Sequence, residues 1–502
     1  MTARKKTSAT RTAPKNHPAE ISPARKAAYH ILLAVERGHS HSDDLLRGKA
    51  VNALSAPDRN LDTTLVLGVL RWQLQLDHQI KVLLARPNAK LDAEVLIALR
   101  LGAFQLLHLD RIPARAAIDE SVELAKQAGH RFASGMVNAV LRKLAKAAPA
   151  AVLQSEEENL ALKGHDFSRA INAAKSARAL APEGSSSEEL ALAQAHPTWL
   201  VERWINFYGL DAARSICHHG QSQPVLTLRL ASPTVEAELH ATGISLEPGQ
   251  LLTAARTVLS GDITATETFR EGRVRLQDEG SQLVAELACC CSEKPNQKVK
   301  TILDCCAAPG GKTLILAERN PEARIVAIES SEPRLAQLQQ RLASHSARIE
   351  CRLTDAAALT EEAVFDLALA DVPCSGTGTL GRNPEIRHRL RPHDFARQSE
   401  RQRAILAAAL RAVRPGGFVV YSTCSLEPEE NEQVVAAVLA AAPNARQVSL
   451  EDRIETLLGK NILTHQGAER LRGSLTPQGA LRLLPGALNT DGFFIALIER
   501  IA

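Results

Sequence analysis

The sequence predicts a multidomain protein in which an all-α region precedes a doubly wound α/β domain, with a small α/β unit between them. The length of 502 residues exceeds one ordinary core and, at about 150 residues per domain, suggests roughly three domains. Apolar residues recur at helical spacing from 21 to 146 without a strand signal, whereas strand and helix patterns alternate from Thr301 onward. These two successive patterns predict the fold class.

The composition, with 45% hydrophobic and 23% charged residues, is that of a folded protein. No apolar run reaches the roughly 18 residues of a membrane span, and the basic start lacks the apolar core of a signal peptide. We therefore expect a cytoplasmic protein without a membrane partner, and we also expect a monomer. The nine cysteines include no C-x-x-C pair, so we expect neither a disulfide framework nor a metal site.

The front of the chain is basic and helical. Residues 1–20 are rich in Lys, Arg, Ser, Thr and Pro, and this composition predicts a disordered basic tail. Ser22 and Pro23 then supply helix-start signals, and further helices are predicted over 63–84, 93–107, 116–128 and 136–144. Residues 21–146 hold 18 basic and 12 acidic residues, a local charge of +6, whereas the whole chain carries only +4. Solvated helix faces and RNA contact both explain this excess.

The middle of the chain is divided by composition. Residues 147–195 are rich in Ala, Ser and Glu and are predicted to be a linker or insertion. Residues 196–275 are predicted to form the small α/β unit, because VLTLRLA (225–231) alternates like a strand and SPTVEAELHATG (232–243) reads as a capped helix. The larger α/β domain is then predicted over residues 276–502.

The strand patterns of the larger domain end on polar residues. The patterns are TILDCCA (301–307), ARIVAIE (323–329), RIECRLTD (348–355), FDLALAD (365–371), GFVVYSTC (417–424) and the closing pair ALRLLPG (480–486) and GFFIALIER (492–500). In a doubly wound sheet, ligands bind beyond the carboxyl ends of the strands. The polar residues at those ends are Asp304, Glu329, Asp355, Asp371, Cys374 and Cys424. This edge is therefore the predicted functional site.

The first of these strands leads through a glycine turn into a helix. A dinucleotide fingerprint requires G-x-G-x-x-G, and a phosphate loop requires a glycine where Cys306 stands, so neither motif fits. Gly310 and Gly311 lack Cβ atoms, and the following helix presents unpaired N–H groups, so a ligand can approach the backbone closely. The turn predicts a cofactor cradle whose ligand need not be a phosphate.

Three ordered motifs carry a family resemblance. They are DCCAAPGGKT (304–313), ADVPCSGTG (370–378) and YSTCSLEPEENE (421–432), and they resemble the motifs of RNA cytosine-C5 methyltransferases, which bind S-adenosyl-L-methionine. Residues 98–129 and 136–144 resemble NusB, an RNA-binding antitermination factor. The chain is most similar to bacterial 16S rRNA cytosine-C5 methyltransferases, in which a NusB-like domain precedes a class I (Rossmann-like) methyltransferase domain. Small-subunit ribosomal RNA is the implied substrate, and the 196–275 unit is implied to bind RNA.

The resemblance assigns roles around the cofactor. Its cradle corresponds here to seven consecutive residues, namely Cys306, Ala307, Ala308, Pro309, Gly310, Gly311 and Lys312. Glu329 stands where the family usually has an Asp that accepts the ribose hydroxyls, and Glu can still accept both bonds. Asp355 resembles the residue that contacts the adenine amino group, and Asp371 lies beside the methionine end.

The chemistry requires a thiolate. Cytosine C5 is a poor nucleophile until an enzyme thiolate adds to C6 and drives electron density onto C5. Spacing alone leaves either Cys374 or Cys424 as that nucleophile. The resembled RNA family uses the Thr-Cys thiol, which implies Cys424, with Cys374 assisting removal of the C5 proton and enzyme release. Asp371 is the candidate to bond cytosine N3.

A basic segment follows the Pro-Cys motif. Residues 382–403 hold seven arginines and three acids, a local charge of +4, for which RNA phosphates are a natural partner. Arg382 and Arg387 are the predicted RNA-binding residues. The Arg387–His388 pair stands where the family commonly has Lys-Trp.

Two further hypotheses remain. One keeps the chemistry but changes the substrate to transfer RNA or large-subunit rRNA. The other is a non-catalytic NusB-like RNA-binding factor, which the loss of either Cys374 or Cys424 would favour; both cysteines are present. An amino-methyltransferase is disfavoured because DVPC stands where its Pro-Pro-aromatic motif would be.

Overall fold

A computed structural model describes residues 20–38, 40–147, 186–289 and 299–501. The chain divides into two compact units, residues 1–163 and 164–502. The predicted basic tail lies outside the described residues except for Glu20, as do most of the predicted linker and the two cysteines Cys290 and Cys291. Among the described residues, no helix is long and apolar enough to cross a membrane.

The first unit is all-helical where it is described, as predicted. Its helices are α1 (Pro23–Glu36), α2 (Ser42–Leu46), α3 (Lys49–Asn52), α4 (Ala56–Leu83), α5 (Ala93–His108), α6 (Ala114–Gln127) and α7 (Ser134–Ala147). Helix α5 contacts α1, α4, α6 and α7, so it occupies the centre of the unit. A Cβ on Gly68 would lie 2.0 Å from the Phe104 ring, which explains a glycine inside α4.

Three helices open the second unit: α8 (Ser187–Ala193), α9 (Thr198–Tyr208) and α10 (Leu210–Gln221). Helix α8 falls inside the segment predicted as a linker, and a capping box between Ser186 and Glu189 begins it. Trp204 on α9 is fully buried and belongs to an apolar cluster with Leu200 and Phe395.

A four-stranded antiparallel sheet follows, in the order β2-β3-β1-β4. Its elements are β1 (Thr227–Leu230), α11 (Thr234–Ala241), β2 (Ser245–Pro248), β3 (Ala255–Ser260), α12 (Glu267–Arg270) and β4 (Val274–Leu276). Apolar residues that include Leu228, Leu239 and Val274 form one core cluster. Arg229 instead forms an ion pair with Glu286 of helix α13 (Glu279–Cys289), and Arg275 forms one with Glu318 of helix α14 (Gly311–Arg319). RNA contact by this unit remains a prediction, and these two arginines are already paired.

The larger sheet is mixed and runs β10-β12-β9-β8-β5-β6-β7, with β11 paired to β12. Its strands are β5 (Thr301–Asp304), β6 (Arg324–Glu329), β7 (Ile349–Leu353), β8 (Phe365–Asp371), β9 (Val413–Thr423), β10 (Ala445–Val448), β11 (Leu481–Leu483) and β12 (Phe493–Arg500). Strands β5 to β9 pair in parallel and the last three pair antiparallel. The predicted α/β fold class is confirmed, and β10 is an addition to it.

The helices of this domain are α13 (Glu279–Cys289), α14 (Gly311–Arg319), α15 (Glu332–Leu342), α16 (Ile386–Arg389), α17 (Pro392–Ala412), α18 (Glu432–Ala441), α19 (Glu451–Gly459) and α20 (His465–Arg472). One apolar cluster gathers residues of α13, α14, α15, α19 and α20, and the other gathers residues of α17 and α18. Because both clusters also include strand residues, the sheet is buried on both faces, as parallel sheets usually are.

Candidate active site

Two thiols meet at the carboxyl edge of the larger sheet. Cys374 follows the end of β8 and Cys424 directly follows β9. These strands are parallel neighbours, with Asp371 opposite Ser422, so their following loops lie side by side. The Cys374 Sγ and Cys424 Sγ atoms are 3.4 Å apart, which is hydrogen-bond distance for sulfur.

The surroundings of Cys374 change its protonation. The hydrogen bond with Cys424, followed by burial, raises the pKa of Cys374 well above its ordinary value. Cys374 therefore keeps its proton at neutral pH.

A close backbone contact fixes the loop after Cys374. The Gly378 N–H donates to the Cys424 carbonyl at 2.9 Å, and the Gly492 N–H donates to the Gly378 carbonyl at 2.8 Å. A Cβ on Gly378 would lie 2.5 Å from the Gly492 oxygen and 2.8 Å from the Cys424 oxygen. A residue without Cβ is therefore required where the two cysteine loops meet.

Lys312 lies between the glycine turn and the thiols. Its Nζ is 2.7 Å from Asp371 Oδ2, and the Ser422 hydroxyl donates to Asp371 Oδ1 at 2.7 Å. Burial opposes the Lys312 ammonium, but the Asp371 carboxylate and the nearby Cys424 raise the pKa of Lys312 above its ordinary value. Both oxygens of Asp371 thus have protein partners, and its predicted bond to cytosine N3 would require one of them to be exchanged.

Asp304 anchors the glycine turn from below. It is buried and accepts a hydrogen bond from the Thr313 hydroxyl at 2.7 Å, which ties the first turn of α14 to the end of β5. Burial raises the pKa of Asp304 to about 6. Gly310 has a left-handed φ of +95°, a conformation that favours glycine. The glycine turn therefore has the shape that a cradle requires.

The other residues of the predicted cradle belong to this same turn. The Ala307 N–H donates to the Ile328 carbonyl at 2.8 Å, which places the turn beside the end of β6. Ala308, Pro309 and Gly311 contribute backbone, and Gly311 lies against the Gln277 side chain. Burial raises the pKa of Cys306, so its thiol stays protonated and its predicted part in the cradle is through backbone and shape.

Glu329 and Asp355 occupy different environments. Glu329 is buried, accepts from the Ser331 N–H at 2.8 Å and lies 3.5 Å from Arg334. Arg334 also donates to the Ala308 carbonyl at 3.0 Å, so it connects Glu329 with the glycine turn; sequence reasoning missed it. Asp355 is exposed, and its side chain caps a short helical turn through the Ala357 N–H.

The structure contradicts the predicted RNA contact of Arg387. Its side chain is 1% exposed, and its guanidinium donates to the carbonyls of Ala195, Gly220 and Leu380. An arginine enclosed by backbone carbonyls cannot reach a phosphate. The prediction is wrong because counting charges along the segment does not distinguish a buried arginine from a surface arginine.

Arg382 is also engaged within the protein. It donates to Asp491 at 2.7 Å and to Asp278 at 3.0 Å. Two carboxylates already neutralise this guanidinium, so the structure gives Arg382 a role in joining loops rather than in binding phosphate. The same segment retains Arg401, an exposed residue whose charge acts on Cys306 at the edge of the site.

Comparisons with known proteins identify the family and the domains of this chain. The family model described as 16S rRNA methyltransferase RsmB/F matches residues 293–499, the NusB family model matches 22–146, and an RsmF/B-like ferredoxin-like domain model matches 196–258. A probable ribosomal RNA small subunit methyltransferase B from Bacillus subtilis is 32% identical, with 95% of this chain and 98% of that protein covered. The chain belongs to the RsmB/F family.

Other relatives and solved structures support the same placement. The ribosomal RNA small subunit methyltransferase B of Pseudomonas putida is 31% identical over 95% of this chain and 98% of its own length. The crystal structure of PH0851 superposes with a TM-score of 0.71 and 23% identity, covering 96% of this chain and all of that one, and it shows the shared fold. In this RsmB/F protein the NusB match spans α1 to α7, so the resemblance recognised in the sequence is confirmed.

Proposed function

We propose that this RsmB/F protein transfers a methyl group from S-adenosyl-L-methionine to C5 of a cytosine in 16S ribosomal RNA, through a covalent bond between Cys424 and C6. The observation that carries the proposal is the pair of thiols, 3.4 Å apart, at the ends of adjacent parallel strands. A single thiol suffices for nucleophilic attack, whereas a second beside it supplies a group that can handle a proton.

The residues present fit the cofactor. A Cβ on Gly310 would lie 2.9 Å from the buried Leu338 side chain, so the turn packs closely against α15 and needs a residue without Cβ at this position. The first N–H groups of α14 have no partner within the helix, and Glu329 ends the adjacent strand. We propose that the turn from Cys306 to Lys312 holds the cofactor, that Glu329 accepts its ribose hydroxyls, and that Asp355 and Asp371 face its adenine and methionine ends.

The protein's own groups would act in sequence. Cys424 attacks C6, and Asp371 together with Lys312 provides hydrogen bonding beside the base. When bound, S-adenosyl-L-methionine supplies an electrophilic methyl group for C5. Cys374 then accepts the C5 proton, the electrons of that bond restore the C5–C6 double bond, and Cys424 leaves as a thiolate.

The electrostatics favour this division of roles. The two sulfurs share one hydrogen bond, and the raised pKa of Cys374 keeps that thiol protonated while Cys424 makes the attack. After attack, Cys424 is a thioether and no longer accepts that bond, so the main cause of the raised Cys374 pKa disappears. Cys374 can then release its proton to solvent and serve as the base.

The substrate assignment rests on the relatives. Those from Bacillus subtilis and Pseudomonas putida are named as small-subunit rRNA methyltransferases, which favours 16S rRNA over transfer RNA or large-subunit rRNA. A non-catalytic RNA-binding factor would not need two thiols at the ends of adjacent strands.

Bisulfite sequencing of total RNA tests the function. In cells lacking the gene, one or more 16S cytosines should lose protection from conversion, and a plasmid copy should restore it while a Cys424→Ala copy should not. The matched control is Cys351→Ala, a change at a half-buried thiol on β7, and this copy should restore protection. Protection lost only in transfer RNA or 23S rRNA would overturn the substrate, and no change anywhere would overturn the activity.

Loss of the Glu329 carboxylate should weaken cofactor binding. Glu329→Ala removes the proposed acceptor of two ribose hydroxyls, so the dissociation constant for S-adenosyl-L-methionine should rise by an amount equivalent to about 1 to 3 kcal/mol. Isothermal titration calorimetry on the whole protein measures this. Glu350→Ala is the control, because Glu350 is exposed and forms an ion pair with Arg352 on the surface, away from the glycine turn. Equal affinities for the two variants would remove Glu329 from the site.

A further inference from the structure

Glu430 lies under the two cysteine loops and touches neither sulfur by hydrogen bonding. It is fully buried. It accepts hydrogen bonds from the Ser375 N–H at 2.8 Å and from the Gln402 amide at 3.0 Å. It also accepts from the hydroxyls of Ser375 and Ser425. Ser375 and Ser425 are the residues that directly follow Cys374 and Cys424, so one carboxylate joins both loops.

Gln402 and Asn431 extend this connection to the other side of each cysteine. The Gln402 amide also donates to the Pro373 carbonyl at 2.9 Å, so the residues on both sides of Cys374 are held. On the second loop, the Thr423 hydroxyl donates to Asn431 at 2.5 Å and Asn431 donates to the Ser425 carbonyl at 2.9 Å. Three of the four flanking residues, Ser375, Thr423 and Ser425, are therefore bonded to the adjacent pair 430 and 431, and the fourth, Pro373, is bonded to Gln402.

A carboxylate in this position is costly for the fold. Burial raises the pKa of Glu430 above its ordinary value, while the hydrogen bonds from Ser375, Ser425 and Gln402 act in the opposite direction. Its partners among the described residues are hydroxyls, an amide and a backbone N–H, and none is a cation. Burying a charge without a cation is unfavourable unless its hydrogen bonds are complete. Three of the four hydrogen bonds described above come from Ser375 and Ser425, the residues beside the thiols.

We propose that Glu430 is a positioning residue that holds Cys374 against Cys424 and thereby serves the release of the methylated base. The inference rests on the proposed cytosine-C5 chemistry. In the release step the C5 proton passes to the Cys374 thiolate, the C5–H electrons form the C5–C6 double bond, and the C6–S bond breaks to regenerate the Cys424 thiolate. Asn431 holds the Cys424 loop independently through Thr423 and Ser425, so loss of the Glu430 carboxylate displaces Cys374 in particular. Proton removal would then slow, while Cys424 would still attack and methylation would still occur.

Glu430→Gln tests this role with little change in size. The substitution replaces one acceptor oxygen by an NH2 group, which cannot accept a hydrogen bond from a serine hydroxyl. With 16S rRNA and S-adenosyl-L-methionine, the variant should methylate in a single turnover and then accumulate covalent protein–RNA adduct, about tenfold above wild type, as a slowed release step requires. The double variant with Cys374→Ala should accumulate no more adduct than Cys374→Ala alone, because both changes act on one step.

Glu427→Gln is the matched control. Glu427 is also fully buried and lies three residues earlier, but its carboxylate is bonded to Arg203 and Trp204 and not to the serines beside the thiols. It should lower stability without accumulating adduct. Equal adduct in the Glu427→Gln and Glu430→Gln variants, or none in Glu430→Gln when Cys374→Ala forms it, would overturn the inference. Absence of adduct in Cys374→Ala itself would count against the proposed chemistry.

A second measurement needs no RNA. A diazene oxidant such as diamide takes two electrons and two protons from a pair of thiols, which become a disulfide. Mass spectrometry of the peptide pair that contains Cys374 and Cys424 follows this reaction, which should be slower in Glu430→Gln and, to a smaller extent, in Ser425→Ala. Ser425→Ala removes one hydroxyl donor and keeps the result interpretable if Glu430→Gln folds poorly. An unchanged rate in both variants would overturn the positioning role.

Discussion

Cys424→Ala is expected to abolish methyl transfer and to leave no covalent adduct, whereas Cys374→Ala is expected to attack and methylate the base and then remain crosslinked to RNA. The first variant lacks the sulfur that adds to C6, and loss of a nucleophile typically lowers kcat by roughly 10⁴-fold or more. The second retains that sulfur but lacks the group beside it that accepts the C5 proton. Denaturing gels with labelled RNA, together with methyl incorporation in a single turnover, measure both outcomes.

Cys351→Ala provides the control for this pair. Cys351 is a half-buried free thiol on β7, so its loss removes a sulfur without touching the loops after β8 and β9. It should match wild type in rate and in the absence of trapped adduct. A trapped adduct in Cys424→Ala together with none in Cys374→Ala would assign the nucleophile to the Pro-Cys thiol and reverse the proposed roles.

The sequence was sufficient to predict that the two thiols lie close together, but not that the pKa of Cys374 is raised. Two cysteines after neighbouring parallel strands must lie at one edge of a sheet, so a pattern of strand ends was sufficient. The raised pKa of Cys374 depends on a 3.4 Å contact and on burial, which are properties of the packed loops. Lys312 is a similar case, because its position in the glycine turn is visible in the motif while its ion pair with Asp371 is not.

Arginines show where sequence reasoning failed. The +4 charge of residues 382–403 predicted a phosphate-binding surface, yet Arg387 is enclosed by carbonyls and Arg382 is paired with two carboxylates. Their partners come from distant parts of the chain, Gly220 and Asp491 among them, so no local pattern identifies them. Glu430 was missed for the same reason, since EPEENE reads as an acidic helix start until the serines around it are known.

The central strands of the sheet were easier to predict than the strand at its edge or the exact start of a helix. Short apolar runs identify strands β5, β6 and β8 because these central strands are mostly buried and therefore apolar. Strand β10, Ala445–Val448, has a half-buried, partly charged sequence at the edge of the sheet, where periodicity is weak. Helix α4 begins at Ala56 rather than at 63, and the capping residue Ser55 was the available signal.

Glu286→Ala is expected to destabilise the second unit more than any surface substitution. Glu286 on α13 is fully buried and pairs with Arg229 of β1 at 2.8 Å and with Arg319 of α14 at 2.8 Å. Arg229 is itself only 4% exposed, so removal of Glu286 leaves a buried guanidinium with reduced compensation. Breaking a buried ion pair by deleting one partner costs about 3 to 5 kcal/mol. Urea unfolding of residues 186–502, followed by the fluorescence of Trp199 and Trp204, measures the change in the free energy of unfolding.

The matched control is Glu350→Ala, which breaks an ion pair with Arg352 on the surface of the same unit. Exposed pairs contribute no more than about 1 kcal/mol, so this variant should unfold almost as wild type does. The double variant Glu286→Ala with Arg229→Met should recover part of the lost stability, because it removes the uncompensated charge and fills its space with an apolar side chain. If Glu286→Ala unfolds at the same urea concentration as Glu350→Ala, the buried ion pairs do not stabilise the contact between the four-stranded sheet and helices α13 and α14.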